Sequence, residues 1–422
     1  MKIGSGIVNK KKIYDLLIYG FGQAINLLSP LIVMPYLISI CGEEGLGRIG
    51  VGFSMALILC GIVDYGSYIQ GVKEISIHRD DLEFIRHKLK AIYLSKFLLL
   101  LAVAAVMALV IVAVPFFSRD KTLFFFSLIM VAGQFVNPAW FFQATENFKW
   151  ISAINIISKV IYVGCIFLFV KQKEDYILAN FFFGAGAIVA NGIGFLFIYR
   201  RYSLSFGDFS LAPALEILRD EFSFTTSQFF LSMYQFFPIM IISYIGGDFM
   251  AGQYRVIDQI ISIFKSYLNI FFYFVYANVC YEINKNVARG IAVWKLYNGL
   301  NFLFIITLIG IFFWKAEMIF GYFKIDPAQI ENISLYFRIG LAIPALIAIS
   351  QPLRQLMFAF DQNRIYITIT ILATILNIVL LIFLTSASGL KGSLFSIIFI
   401  ELIVIVLYLL ILRKFLHAPK TE

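Results

Sequence analysis

The sequence predicts an all-α integral membrane protein: twelve transmembrane helices in two six-helix lobes, with both termini cytoplasmic. Three observations carry that expectation. Of the 422 residues, 61% are hydrophobic and only 14% charged, against about 25% charged in an ordinary soluble chain; the mean hydropathy is +0.88. Apolar runs of membrane-crossing length follow one another with short polar gaps, and a helix crosses the bilayer core with about 20 mainly apolar residues. Lysine and arginine, finally, are spread unevenly over alternate gaps, and such a bias orients membrane proteins.

The runs stand at 14–40, 48–71, 91–115, 122–144, 152–171, 176–199, 222–246, 253–277, 294–314, 333–359, 365–384 and 392–412. They are continuous and not ten-residue alternations, which sets aside a membrane β-barrel. Lys10, Lys11 and Lys12 resemble the charged start of a signal peptide. The run to Ile40 is too long for one and no small-residue cleavage site follows, so it reads as a retained first span. With the N-terminus inside, cytoplasmic connections hold 19 Lys and Arg and the opposite side 9, the expected sense of the bias. The stretch 72–90 reads as an amphipathic surface helix. No connection is large enough for a soluble catalytic domain.

Several function classes fall away. The excess of 34 basic over 25 acidic residues belongs to cytoplasmic loops and not to a basic nucleic-acid-binding domain. Cys41, Cys60, Cys165 and Cys280 lie far apart with no CxxC, and His78, His87 and His417 all fall in polar segments, so neither a disulfide, a metal site nor a histidine-based nucleophile is expected. No GxxxxGK[ST] loop is present, which argues against direct ATP drive. No cofactor is expected.

Gly42-Glu43-Glu44-Gly45-Leu46-Gly47 closes the first run and Gly247-Asp248-Phe249-Met250-Ala251-Gly252 the seventh, 205 positions on, and the same offset joins Gln23 to Gln228. Both halves hold six spans, so the repeat is parallel, about an axis along the membrane normal. The lobes are expected at 1–205 and 206–422.

Polar residues inside the runs fall on helical stripes. Asp258, Ser262, Lys265 and Asn269 share one face of the eighth; Thr225, Gln228, Ser232 and Gln235 one face of the seventh; Asn155, Lys159 and Tyr162 one face of the fifth; Tyr366, Thr370, Thr374 and Asn377 one face of the eleventh. Gln23 and Asn26 add to the first, Asp64 to the second and Glu401 to the twelfth. Neutral polar residues are common glue between helices. A charge at mid-bilayer costs about 2.5–3.5 kcal/mol on insertion scales and by default marks a functional site. Six basic residues (Lys96, Lys159, Lys265, Lys295, Arg338, Arg354) lie in or at the edges of spans against three acidic ones. A surplus of cation suits an anionic substrate, since Lys and Arg hold phosphate oxygens. Lys159, Lys265 and Arg338, with Arg354, Gln143, Gln23 and Gln228, are the candidate substrate contacts; Asp64, Asp258 and Glu401 are candidates for ion or proton coupling. Asp258 has an alternative as a structural partner of Lys265. Pro30, Pro35, Pro238, Pro344 and Pro352 interrupt spans, where each removes a helical hydrogen bond.

The stretch Trp140-Phe141-Phe142-Gln143-Ala144-Thr145-Glu146, followed by Lys159, resembles the polysaccharide (O-antigen) repeat-unit flippases of the multidrug/oligosaccharidyl-lipid/polysaccharide exporter superfamily. These show Trp-x-Phe-Gln-Gly-x-Glu after the fourth span and a lysine in the fifth; Ala144 here replaces the usual glycine. The resemblance extends to Asp64-Tyr65-Gly66, to the glycine-rich turn at 42–47 and to Gly252-x-Tyr254. It implies the MATE-like exporter fold and a bacterial inner-membrane protein that moves undecaprenyl-diphosphate-linked oligosaccharide from the cytoplasmic to the periplasmic leaflet by alternating access, coupled to an ion. Membrane lipid is a further partner, as are the polymerase and other polysaccharide assembly proteins. In this reading the diphosphate meets Lys159, roughly 10 Å into its span at 1.5 Å per residue. Trp140 and Trp150 serve equally as interface anchors or ligand contacts, and Glu146 pins a turn.

Three other functions compete, the closest being a lipid-linked cell-wall precursor flippase, which commonly has fourteen spans. A multidrug cation antiporter of the same superfamily shares the twelve-span plan, but would want acidic residues in its cavity. A membrane polysaccharide polymerase or ligase would want a large periplasmic loop with catalytic Arg or His, and 315–332 is short and has no His.

Overall fold

The computed structural model describes residues 10–65, 67–204 and 210–416. Both chain ends, Gly66, His417 and the expected lobe boundary at 205/206 lie outside them.

Helices account for the fold, and no strand occurs among the described residues. In order they are α1 (Lys10–Val63), α2 (Val72–Ile77), α3 (Leu82–Ala113), α4 (Pro115–Ser118), α5 (Lys121–Phe135), α6 (Ala139–Ala144), α7 (Phe148–Phe169), α8 (Leu178–Arg201), α9 (Leu211–Asp220), α10 (Phe222–Phe236), α11 (Pro238–Lys285), α12 (Val287–Trp314), α13 (Ala316–Tyr322), α14 (Ile330–Gly340), α15 (Ala342–Ala359) and α16 (Asn363–Leu416). A π-helical turn at Ser67–Gly71 leads into α2, and a 3-10 turn at Lys173–Ile177 leads into α8.

Nine segments among the described residues are long and apolar enough to cross a membrane. Three of them run to 44, 58 and 51 residues, far beyond the 20 or so that span the core. Each contains non-helical backbone: Gly42 (φ 72, ψ 176) in α1, Gly247 (φ 81, ψ 172) in α11, and Ser388 and Gly389 (φ 58) in α16. A positive φ costs an L-residue with a side chain roughly 1–2 kcal/mol, which is why glycine stands at these breaks. Proline makes others. Pro238 opens α11 directly after the break at Phe237, and Pro344 follows the α14–α15 junction at Leu341.

The chain forms two compact units, residues 1–41 with 52–229, and residues 42–51 with 230–422. In the first, α5, α7 and α8 pack together, and α3 packs on α5 and α9. Gly186 and Gly194 of α8 bring it against α7: a Cβ at Gly186 would stand 2.7 Å from the Ser158 carbonyl oxygen, and one at Gly194 would stand 2.6 Å from Ile154. Such small-residue ridges are how membrane helices approach closely. In the second unit α11, α12, α15 and α16 pack together around Val279, Leu356, Met357, Ile400 and Leu412.

Two expectations on this architecture need correcting. The surface helix expected at 72–90 is only Val72–Ile77; the remainder is the start of α3, because Asp81 caps Leu82 onward by accepting from the Phe84 amide at 3.0 Å. The aromatic stretch at 140–142 is neither interface anchor nor ligand contact. Trp140, Phe141 and Phe142 are 0%, 2% and 1% exposed, in a core with Ile75, Ile85, Leu89, Tyr93 and Ile198. They pin α2 and the start of α3 onto α6 and α8. Trp140→Phe is expected to leave a cavity and cost about 1–2 kcal/mol, read as a lower thermal unfolding midpoint of the protein in detergent.

Candidate functional site

Helix α7 supplies one wall of a cavity. Ile151, Ile154, Asn155, Ser158 and Lys159 face it, the i, i+3, i+4, i+7, i+8 spacing of a single helical face. Lys159 is the twelfth residue of this 22-residue helix, roughly 16 Å from its start and so near mid-bilayer, deeper than the sequence placed it. Gln23 and Asn26 of α1, Asn137, Gln143 of α6, and Phe183, Ala187 and Asn191 of α8 complete the lining of a cavity of about 310 Å³.

The chemistry of this lining is specific. Among the described residues, six side-chain amides surround one ammonium group and no Asp or Glu lines the cavity. Lys159 Nζ rests 3.7 Å from the Phe183 ring centroid and 6.0 Å from that of Tyr162, a cation–π seat worth about 0.5–2 kcal/mol depending on desolvation. Among the described residues it has no carboxylate partner. Its charge is therefore available to an anion, with amides at hand that both donate to and accept from hydroxyl groups.

Asp64 is close by in the same unit and is occupied. Lys96 Nζ lies 2.9 Å from its Oδ1, Ser67 Oγ donates to Oδ1 at 3.2 Å and Gln134 Nε2 donates to Oδ2 at 2.9 Å. The Lys96 side chain is 1% exposed, so this is a buried ion pair, stabilising only while both members stay.

Of the remaining candidates, Lys265, Arg338, Arg354, Asp258 and Glu401 are in the second unit and Gln228 is in the first, and none of them is in the lining of this cavity. Lys265 Nζ pairs with Asp258 Oδ1 at 3.2 Å, the alternative raised for Asp258, and Arg255 stands 3.9 Å from Oδ2. Arg338 pairs with Glu317 at 3.1 Å and donates from Nε to the Phe313 carbonyl at 3.3 Å, tying down the C-terminal turn of α12. Lys96 and Lys265 meet carboxylates already counted in the spans, so only the Arg338–Glu317 pair lowers the surplus of cation that the sequence suggested. Arg354 lies over the Phe272 ring at 4.6 Å, with Nη2 donating to Gln351 Oε1 at 3.4 Å. Glu401 is buried, accepting from Tyr234 at 3.0 Å and from Ser350. Gln228 is half-buried on α10. Glu146 holds a turn at φ 54 beside Asn147, whose amide donates to the Phe142 carbonyl at 2.7 Å.

Of the candidate substrate contacts, the fold brings together Lys159, Gln23 and Gln143. It adds Asn191 and Phe183, which sequence reasoning missed. Phe183, Ala187 and Asn191 recur at fourfold spacing in α8, but of the three only Asn191 is polar, so a stripe of polar residues did not show this face.

A second cavity of about 310 Å³ in this unit is lined by Glu74, Glu216, Asp220 and Glu221 with His87 and Lys88. Lys88 is 2.5 Å from Glu74. Burial, and then the charge of Glu74, pushes the Glu221 carboxyl up from its usual range. Such an acidic lining repels phosphate.

Comparison with known proteins fits this geometry. The family described as polysaccharide biosynthesis protein matches residues 14–276. A protein of Escherichia coli (strain K12), provisionally named an O-antigen transporter, is 23% identical over 397 residues, covering 93% of this chain and 94% of its own. A protein of Shigella dysenteriae with the same provisional name is 23% identical over 238 residues, 56% and 59% of the two chains. Among solved structures, the lipid II flippase MurJ in an inward closed conformation superposes with a TM-score of 0.76 at 12% identity, covering 94% of this chain and 87% of that one. An inward-facing multidrug resistance MATE transporter of the MOP superfamily gives 0.69 at 13%, covering 94% and 97%. At such identities the likeness is one of fold, and the fold is the MATE-like one the sequence resembled. The chain is a multi-pass integral membrane protein and belongs to the polysaccharide biosynthesis protein family.

Proposed function

We propose that this protein is a flippase for lipid-linked saccharide, moving an undecaprenyl-diphosphate-linked O-antigen repeat unit from the cytoplasmic to the periplasmic leaflet of the bacterial inner membrane. One observation carries the reading: among the described residues, a lysine without a carboxylate partner, at the middle of a membrane-spanning helix, in a cavity lined by six amides and no acid. An ammonium group holds phosphate oxygens as a point charge, and Asn and Gln side chains match the mixed donors and acceptors of sugar hydroxyls. The provisional name of the E. coli relative agrees with it. A cationic drug would meet Lys159 with no compensating acid in that lining.

In this reading Lys159 takes the diphosphate, Gln23, Gln143 and the neighbouring amides take the first sugar, and the prenyl tail stays in lipid. Counting each arm of the three glycine-broken segments separately supports the twelve spans; cytoplasmic termini and lobes meeting near 205/206 belong to the same proposal. Alternating access would expose the cavity to each leaflet in turn. The carboxylates of Asp64, Asp258 and Glu401 remain the groups proposed for coupling to an ion, and partnership with a polymerase and other assembly proteins belongs to the same proposal. Lys159→Ala, expressed in a strain lacking its own copy, is expected to abolish surface polysaccharide while the protein still reaches the membrane. Normal surface polysaccharide in that strain would overturn the assignment.

A further inference from the structure

The cavity around Lys159 is joined to the buried Lys96–Asp64 pair by side-chain hydrogen bonds. Asn137 lines the cavity. Its Nδ2 donates to Gln134 Oε1 at 3.3 Å, and Gln134 Nε2 donates to Asp64 Oδ2 at 2.9 Å. Asn137 Oδ1 accepts from the Ala139 amide at 2.9 Å, at the start of α6, which carries Gln143.

The direction of every bond in this chain is dictated from one end. An ionised carboxylate only accepts, whereas an amide side chain has one donating and one accepting end. Asp64, paired with Lys96 at 2.9 Å, receives the NH₂ of Gln134 at 2.9 Å. Gln134 then turns its oxygen to Asn137, which must answer with its own NH₂. That leaves the Asn137 oxygen for the backbone of α6. We infer that Gln134 and Asn137 act as a polarity relay, through which the ion pair at Asp64 sets how α6 and the Asn137 amide are presented to the headgroup bound at Lys159. Gln134 is a positioning residue: it lines no part of the cavity and acts through Asn137. The relay rests on the proposed headgroup site.

The groups facing Asp64 are Lys96 and Tyr93 from α3, Cys60 from α1, Gln134 from α5 and its neighbour Ser67. Only Lys96 is a cation. Removing the carboxylate charge therefore both frees Lys96 and lets Gln134 turn over, reversing the order of the chain.

The test uses the full-length protein in nanodiscs and farnesyl diphosphate as a soluble prenyl diphosphate, with affinity and thermal unfolding read on the same samples. Asp64→Asn is expected to weaken binding about tenfold, the order of one lost polar alignment. The exchange Asp64→Asn with Gln134→Glu keeps a carboxylate oxygen facing Asn137 and the net charge beside Lys96, and is expected to restore affinity to within about threefold. Gln134→Met leaves the ion pair whole and breaks the relay; it is expected to weaken binding about fivefold and to lower the unfolding midpoint less than Asp64→Asn does. The inference is overturned if Gln134→Met binds as the parent does, or if the exchanged pair folds but stays as weak as Asp64→Asn. Lys159→Ala in the same assay separates the two levels. If it loses binding while the Asp64 and Gln134 variants do not, the relay fails and the headgroup site stands; if it binds normally, the site itself fails.

Discussion

Gly252→Ala and Gly47→Ala should each lower the stability of the folded protein by about 3 kcal/mol or more, at the upper end of overpacking effects. Both glycines lie in the second compact unit, where the turn at 42–47 packs on the turn at 247–252. A Cβ at Gly252 would stand 1.9 Å from the Glu43 carbonyl oxygen, and one at Gly47 would stand 1.8 Å from the Asp248 carbonyl oxygen. The obstacle is backbone in both cases, so no rotamer change relieves it; the two helices must separate. Separation strains Arg48, which binds Asp248 at 3.2 Å and Glu44 at 2.7 Å. Gly164→Ala and Gly299→Ala serve as controls, since nothing lies within 4 Å of a Cβ there, and alanine in a helix is favoured over glycine by up to about 1 kcal/mol. Thermal unfolding in detergent, followed by size exclusion, should show the first pair falling steeply and the second unchanged or slightly higher.

That reciprocal contact is also a structural mark of the repeat. Glu43 corresponds to Asp248, and Gly47 to Gly252, at the offset of 205 positions seen in the sequence, and each glycine receives the carbonyl of the other turn's acidic residue. Gly42 and Gly247 share nearly the same dihedrals. The places where spans end were therefore legible, because a left-handed backbone needs glycine and the sequence displays it. The aromatic stretch was not. Hydrophobicity alone does not say whether Trp140 faces lipid or protein, as lipid tails and leucine side chains are equally apolar; the answer lay in α2 and the start of α3, which fold back over it.

The site was legible in part for a similar reason. Helical periodicity gave the face of α7 with Asn155 and Lys159, and the spacing of Asp258 and Lys265 gave their ion pair, since both partners sit on one helix. Lys96 of α3 and Asp64, in the turn just past α1, stand 32 residues apart, beyond the reach of any local pattern, so Asp64 looked like an isolated charge and Lys96 like an edge residue. Arg338 was misjudged by the same limit: Glu317, its partner, precedes it by 21 residues across a turn and a short helix. Each pairing commits a cation to a carboxylate and leaves Lys159 as the lysine in a cavity lining with no acid.

Lys159→Ala should in turn cost about a hundredfold in affinity for a diphosphate headgroup, the upper range for a charge-assisted hydrogen bond in a partly desolvated site. Lys159→Arg keeps the charge but lengthens the side chain, and the seat over Phe183 at 3.7 Å fits a compact ammonium; a loss of about tenfold is expected, because the two cations are not interchangeable at shaped sites. Affinity should also weaken with salt, as expected of a contact between opposite charges. The decisive measurement is a titration of the purified protein in nanodiscs with farnesyl diphosphate and, side by side, farnesol. The parent protein should bind the diphosphate far more tightly than the alcohol, and Lys159→Ala should bind the two alike. Equal preference for the diphosphate in the parent and in Lys159→Ala would contradict the account.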